Sequence, residues 1–419
     1  MQRSPSKRGG RRAAIAPLTA LLLIPLLGLV AFAVDLGWIV LTQSDLQNAA
    51  DSAALAGAGK LMNGFVSYNL PNQANNQASI LSTAESSAKS SAKQFAGLNA
   101  AGGVSSLTLL DNDIQFGFTD ASGNYTPAAS GVYPNTVKVT VRRDGTANTS
   151  LGLFFAPVLN ISTVNLTATA SATIYAANIN SFTNVSNQAI GLLPVTYDVN
   201  NWNNFLATGM GGDGGPAMTD SNGNPELSVY PSVKDTGNFG LLGLDDSHAG
   251  ASTVSSWITS GLTQPDVQNL LNNSANDQTS LIPLSQHNQN ILPSASTDGM
   301  GSWNWVGDTG MKTSVLHTMD NYVGDTFLLP LFEPLNNGTA KGSTYTAGNG
   351  NGSHYYYNIV QFVSVKITYV DNKSLVVQPS ATVVNLNWAT FSSTAPAGTG
   401  SGSASTTNAT TFAPPKLTQ

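Results

Sequence analysis

The chain has 419 residues, room for two or three domains and a sizeable core. Only 10% are charged, against about 25% in ordinary soluble proteins. The formal charge is −6, and setting aside Arg3, Lys7, Arg8, Arg11 and Arg12 leaves −11, which excludes the basic face that nucleic acid requires. There is no cysteine, so disulfides, thiolate metal centres and a cysteine nucleophile are excluded as well. A neutral Ser/Thr/Asn/Gly-rich chain without disulfides suits a bacterial envelope.

Residues 1–12 form a basic head. Ala13–Val34 is an apolar run of 22 residues; at about 1.5 Å per residue it crosses a hydrocarbon core of roughly 30 Å. Positive charge precedes the run and none follows closely. The N-terminus is therefore expected in the cytoplasm, with one pass through the inner membrane and the bulk of the chain periplasmic or extracellular. Asp35 and Trp38 then mark the outer membrane boundary. A span shifted toward residues 20–41 would instead bury Asp35 beside a partner helix. A rival reading takes Ala31-Phe32-Ala33 as a signal-peptidase site. The apolar residues that resume at Leu36–Leu41 favour a retained anchor.

Beyond the anchor, Leu46, Ala50, Ala53, Ala54 and Gly57 recur at three- and four-residue spacing and make a helix-packing face of small residues. Two readings stand side by side. Either this face packs on the chain's own external domain, or it meets neighbouring helices in a pilus-like or secretion assembly.

The segment RRAAIAPLTALLLIPLLGLVAFAVDLGWIVLTQSDLQNAADSAALAGA resembles the N-terminal segment of TadE/TadG-like proteins, minor pilins or assembly factors of Flp (tight adherence) pili. The carrying features are the apolar run, Asp35-Leu36-Gly37, and the stretch Leu46–Ala56. The resemblance covers about residues 10–60. It implies a non-enzymatic protein whose helix links a short cytoplasmic head to a large external region. The implied partners are pilin-like or Tad secretion-system membrane components. Two features depart from the wider group. Prepilins of this class carry glutamate five residues after the cleaved glycine, whereas the fifth residue after Gly10 is Ile15. Larger members often carry an Asp-x-Ser-x-Ser metal motif; here the nearest string, Asp245-Asp246-Ser247-His248-Ala249, lacks the last serine.

Further along, Ile80, Leu81, Ala84, Ala88, Ala92 and Phe95 predict an amphipathic helix over residues 79–97. Leu107–Leu110, Ile114–Thr119, Thr136–Arg143 and Val164–Tyr175 read as strands, and Leu151–Leu159 as an apolar insert, helical or core-lining. Residues 61–180 thus read as a small α+β domain. Residues 181–391 read as a β-rich domain with long Gly/Asn loops. Its elements are a strand near 189–199, a helix over 253–275 with Thr263 as N-cap and Pro265 in the first turn, and strands at 326–332 and 355–370. From 392 to 419 the Ser/Thr/Gly tail reads as flexible. The expected fold class is α+β, with a single-pass N-terminal helix continuing into an external helix.

No catalytic or cofactor site is expected. His248, His287, His317 and His354 have no metal-ligand spacing, and no nucleophile elbow or phosphate-binding glycine loop occurs. Asp220-x-Asn222-x-Asn224-x-Glu226 is like the start of a calcium loop, but its glycine falls at the fourth position, and a polar turn is preferred. Asp111 with Asp113 and Asp245 with Asp246 read as solvated loop pairs. The chain therefore reads as an envelope structural or assembly protein. The alternative is a membrane-stalked adhesin whose Tyr355–Tyr357 stack on sugars.

Overall fold

The computed structural model describes residues 15–182, 191–211, 217–230, 239–243, 250–263, 266, 304–308, 312–332, 355–384, 389–398 and 409–418. Helix α1 (Ile15–Asn69) is one unbroken rod of 55 residues, roughly 80 Å long at 1.5 Å per residue. Its two halves differ in what covers them. Leu21, Leu26, Leu29 and Phe32 are more than half exposed, whereas Leu46, Ala50, Ala54, Ala58 and Leu61 have no exposed surface. Among the described residues this is the one helix long and apolar enough to cross a membrane.

The buried half of α1 packs against helix α2 (Gln77–Gly97) and an open sheet. Alanines at 84, 88, 92 and 96 line the contact face of α2, four apart and hence on one stripe. Small residues on both helices let the backbones come close. A Cβ on Gly57 would lie 3.2 Å from Val137 Cγ1 and 3.5 Å from Ala92 Cβ. Phe95, expected on this face, is 42% exposed; the stripe passes through Ala96 instead.

In chain order the first strands are β1 (Ile114–Thr119), β2 (Tyr125–Pro127), β3 (Thr136–Arg143), the short pair β4 (Leu151–Gly152) and β5 (Thr163–Val164), and β6 (Leu166–Phe182). Next come β7 (Val195–Asp198), β8 (Met218–Thr219), β9 (Pro225–Tyr230), β10 (Phe239–Leu242), β11 (Asn304–Asp308), β12 (Thr326–Phe332), β13 (Tyr355–Val370) and β14 (Leu375–Pro379). The chain ends with β15 (Thr382–Val383), β16 (Ala389–Pro396) and β17 (Thr411–Leu417). The first sheet has the order β15-β17-β6-β3-β1-β2, with β16 also on β6. In β3, Val137, Val139 and Val141 are fully buried while Lys138, Thr140 and Arg142 are half-buried, the alternation of a sheet with one covered face. Leu107–Leu110, expected as a strand, is not one; Leu107 and Leu109 insert into the core from irregular backbone.

The second sheet has the order β11-β10-β7-β12-β13-β14-β9-β8. Helices α3 (Val199–Thr208), α4 (Ala251–Ser260) and α5 (Thr313–Asp320) supply Trp202, Phe205, Trp257, Ile258, Leu316 and Met319 to its core. Strands expected at 326–332 and 355–370 occur at those residues. The expected helix over 253–275 stops at Ser260, where Gly261 adopts a φ of +70° that favours glycine. Thr263 then donates its N–H and hydroxyl to the Asp266 carboxylate at 2.8 and 2.6 Å, half of a capping box. Residues 267–275 lie outside the described residues.

The first sheet crosses the expected division at residue 180, and strands occur within the tail expected to be flexible from 392. The first sheet recruits β15, β16 and β17 from the far end of the chain. Phe412 and Ala413 are fully buried, and the Phe412 ring meets Phe65 of α1 edge-on at 6.0 Å. Composition averaged over the whole tail hides one apolar strand that has a sheet edge to join. Residues 399–408, the Ser/Gly-rich stretch itself, lie outside the described residues. The fold is a long apolar N-terminal helix followed by mixed α and β structure in open sheets.

Candidate functional site at the anchor junction

The junction between the exposed and buried halves of α1 carries an arrangement that sequence reasoning missed. Asp35 sits in mid-helix, yet it is only 5% exposed. Its Oδ1 accepts from Phe154 N–H at 2.7 Å and its Oδ2 from Phe155 and Ala156 N–H at 3.0 and 2.6 Å. These three amides begin the 3-10 turn Ala156–Leu159. Asp35 therefore caps, from another element, a turn whose first N–H groups have no partner within the turn. Pro157 at the second turn position has no N–H to satisfy. One helix turn along, the Trp38 ring lies 5.7 Å from that of Phe154, and Thr42 Oγ1 donates to Trp38 O at 2.8 Å.

This geometry gives Asp35 partners that neither expectation named. The carboxylate is consumed by the chain's own backbone. The apolar insert Leu151–Leu159 is not core-lining. Only Leu151 is buried, while Phe154, Phe155, Val158 and Leu159 are exposed.

A buried guanidinium holds the far side of the junction. Arg143, 3% exposed, donates to Thr149 O at 2.8 Å, to Ala101 O at 2.9 Å, to Ser150 O at 3.3 Å and to Gly102 O. Its charge spreads over carbonyl dipoles of two loops, with no carboxylate among the described residues bonded to it; burial lowers its pKa from the usual arginine value. Arg142 points the other way and pairs with Asp113 at 2.6 Å.

The small-residue face of α1 is occupied. Leu46, Ala50, Ala53, Ala54 and Gly57 are buried against α2 and the first sheet. Of the two readings of that face, packing on the chain's own domain describes its surroundings; it has no surface left to offer a neighbouring helix.

The calcium-like string is a hairpin turn. Asp220 accepts from Asn222 N–H and Asn224 N–H at 2.8 and 2.9 Å and from Asn224 Nδ2 at 2.8 Å. Its oxygens point at donors, the opposite of what a cation needs. The same Thr-Asp-x-x-Gly-Asn pattern occurs at Thr119–Asn124, where Asp120 makes the same three contacts at 2.8, 2.9 and 3.1 Å. That repeat was visible in the sequence and identifies both as Asx-stabilised turns. Asp111 pairs with Lys93 at 2.8 Å while Asp113 pairs with Arg142, so these carboxylates face different partners. Among the described residues no cluster of three His, Asp or Glu could hold a metal ion. Of the histidines only His317 is described, in the last turn of α5; His248, His287, His354 and the pair Asp245 and Asp246 lie outside the described residues. Tyr355–Tyr357 open β13 in register with Gly307, Val306 and Trp305 of β11.

A groove of about 520 Å³ lies between the ends of α1 and α2 and the Asp220 turn, lined by residues such as Lys60, Asn63, Gln73, Asn76 and Asn224. Among the described residues its lining holds no carboxylate, histidine or aromatic ring, so these supply neither an acid–base pair nor a stacking platform for sugars.

Residues 13–60 match a family. Its description reads "Putative Flp pilus-assembly TadE/G-like". The matched segment takes in the exposed apolar half of α1, Asp35, and the helix turns that build the first core, and it stops nine residues before α1 ends. No curated protein and no solved structure matches the chain. The rest of the 419 residues therefore stands on its own geometry.

Proposed function

We propose that this chain is a non-enzymatic, single-pass inner-membrane protein of the bacterial envelope that serves Flp/Tad pilus assembly. In this reading residues 1–12 stay in the cytoplasm and everything after Asp35 lies outside. The carrying observation is α1 itself, within which the family match falls. Its first half is an exposed apolar rod and its second half is the core of the first lobe, with no break between. An anchor built this way transmits force and orientation directly to the external domain, because moving one half of a continuous helix moves the other.

The unbroken helix also bears on processing. Ala31-Phe32-Ala33 lies inside α1, and cleavage there would cut the rod two residues before Asp35. That supports a retained anchor over a signal peptide. With its small-residue face covered, the chain would engage pilin-like or Tad membrane components through the exposed apolar half of α1 within the bilayer, or through its external lobes.

Deletion of the gene in its native host tests the assignment. Loss of surface Flp pili, restored by the full chain but not by a chain lacking residues 1–41, is expected. Normal piliation in the deletion strain overturns the assembly role.

A further inference from the structure

We infer that the loop Leu153–Ile161 is a second membrane contact, a wedge that enters the outer leaflet beside the anchor helix. The inference rests on the reading of α1 as a retained span. Four observations carry it.

First, the tip is strongly apolar and exposed: Val158 is 88% exposed, Leu159 74%, Phe154 62% and Ile161 53%. A contiguous apolar patch of this kind on a loop marks an interaction surface, since loops in water are ordinarily polar. Residues 151–165 contain no charged side chain.

Second, its place along α1 is fixed. The Asp35 bonds and the Trp38–Phe154 contact pin the loop to the turn where the exposed apolar half begins. The patch therefore lies beside the turn of α1 that carries exposed Phe32 and Leu36. A bilayer that receives those residues meets the loop at the same level.

Third, the loop closes its own backbone. Leu153 N–H bonds Ser162 O at 3.1 Å, Val158 N–H bonds Phe155 O at 3.1 Å, Asn160 N–H bonds Pro157 O at 3.0 Å, and Ile161 N–H bonds Ala156 O at 3.2 Å. Asp35 takes the amides of Phe154, Phe155 and Ala156. In water this closure is optional, whereas in lipid every backbone donor must be met internally.

Fourth, Asp35 turns its charge away from lipid. A carboxylate at this level is costly unless paired, and here three N–H groups surround it. The same bonds solve two problems: they satisfy a turn that would otherwise expose amides to lipid, and they bury a charge at the membrane surface. A loop held so by the anchor also fixes the rotation of the external lobe about α1, because a wedge off the helix axis resists tilting and spinning.

The chain has no cysteine, so single-cysteine variants report one site each. The full chain would be reconstituted in phosphatidylethanolamine/phosphatidylglycerol vesicles with an environment-sensitive fluorophore at Val158→Cys, Leu26→Cys or Val132→Cys. Leu26 lies in the exposed half of α1; Val132 is exposed beside Tyr133, whose hydroxyl bonds Leu61 O, 26 residues and roughly 39 Å up the helix from Asp35. The Val158 probe is expected to emit blue-shifted and to be quenched most by lipids spin-labelled near the headgroup. The Leu26 probe should be quenched most by lipids labelled near the chain end, and the Val132 probe by neither. A Val158 probe that behaves like Val132 while Leu26 is lipid-quenched overturns the wedge and leaves the anchor standing. An unquenched Leu26 overturns the anchor itself. A Val158 probe that is blue-shifted, unquenched by any lipid, and reverts when the protein is diluted in the bilayer assigns the patch to a second copy of the chain and also overturns the wedge.

Discussion

Gly64 and Gly59 lie five residues apart on α1, and the same substitution at each should have opposite signs. At Gly59 a Cβ meets nothing within 4 Å, so Gly59→Ala gains only helix propensity, about 0.8–1.0 kcal/mol. At Gly64 a new Cβ would fall onto the Tyr133 hydroxyl and within 2.8 Å of Ala84 Cβ. That hydroxyl donates to Leu61 O at 2.7 Å in a buried site. Overpacking costs about 1–3 kcal/mol, and displacing the buried hydroxyl adds about 1–3 kcal/mol. Against the same propensity gain, Gly64→Ala should destabilise the helix pair by roughly 1–5 kcal/mol. Hydrogen exchange of the full chain in detergent, read on peptides from α2 and from residues 46–66, gives the local opening free energy. The expected result is exchange roughly 5- to 4,000-fold faster for Gly64→Ala and about fourfold slower for Gly59→Ala. If both variants slow exchange, the C-terminal half of α1 is not packed on its own domain, and the account of the small-residue face fails.

Other outcomes follow from the same contacts. Asp35→Ala leaves the amides of Phe154, Phe155 and Ala156 without their acceptor; exchange at those amides should rise by the equivalent of about 1–3 kcal/mol, with Asp35→Asn milder. Arg143→Lys cannot reach Ala101 O, Thr149 O and Ser150 O together, and a loss of about 2–3 kcal/mol in urea unfolding is expected. Phe412→Ala empties a fully buried site against Phe65 and should cost about 3–5 kcal/mol, whereas a flexible tail would register no change. The turn carboxylates add a pH dependence. Asn124 N–H and Nδ2 donations lower Asp120, Ser374 hydroxyl and backbone donations lower Asp371, and at Asp220 burial pushes up but the Asn224 and Asn222 donations outweigh it, so all three lie below the usual 3.8. Groups lowered on folding contribute stability that is present above the ordinary value and lost as pH falls below it. The urea midpoint should therefore drop between pH 5 and pH 3, and replacing the three by asparagine should flatten that drop.

How much of this could be read from the chain alone follows a simple division. Local periodicity was decisive where an element is set by its own residues. The alternating valines of β3, the apolar strand 326–332 and the unbroken apolar run of α1 occur where their pattern places them. The Thr-Asp-x-x-Gly-Asn repeat is equally local, because the aspartate bonds amides only two and four residues away; its turn was legible, and the calcium alternative arose from reading one copy in isolation.

The sequence by itself determined that an apolar rod leads the chain, that small residues line one face of its continuation, and that disulfide and thiolate chemistry are absent. Tertiary structure decided what those features meet. The small-residue stripe carries no label saying whether its partner is α2 or another protein, since either would demand the same small side chains. Asp35 reads the same whether it faces water, lipid or a turn 120 residues away, because a mid-helix carboxylate finds its partner through space. The C-terminal strand β17 looks like part of a polar tail until β6 offers it an unpaired edge and α1 offers Phe412 a ring to pack on. Each of these is a long-range contact, and only the folded chain brings its two sides together.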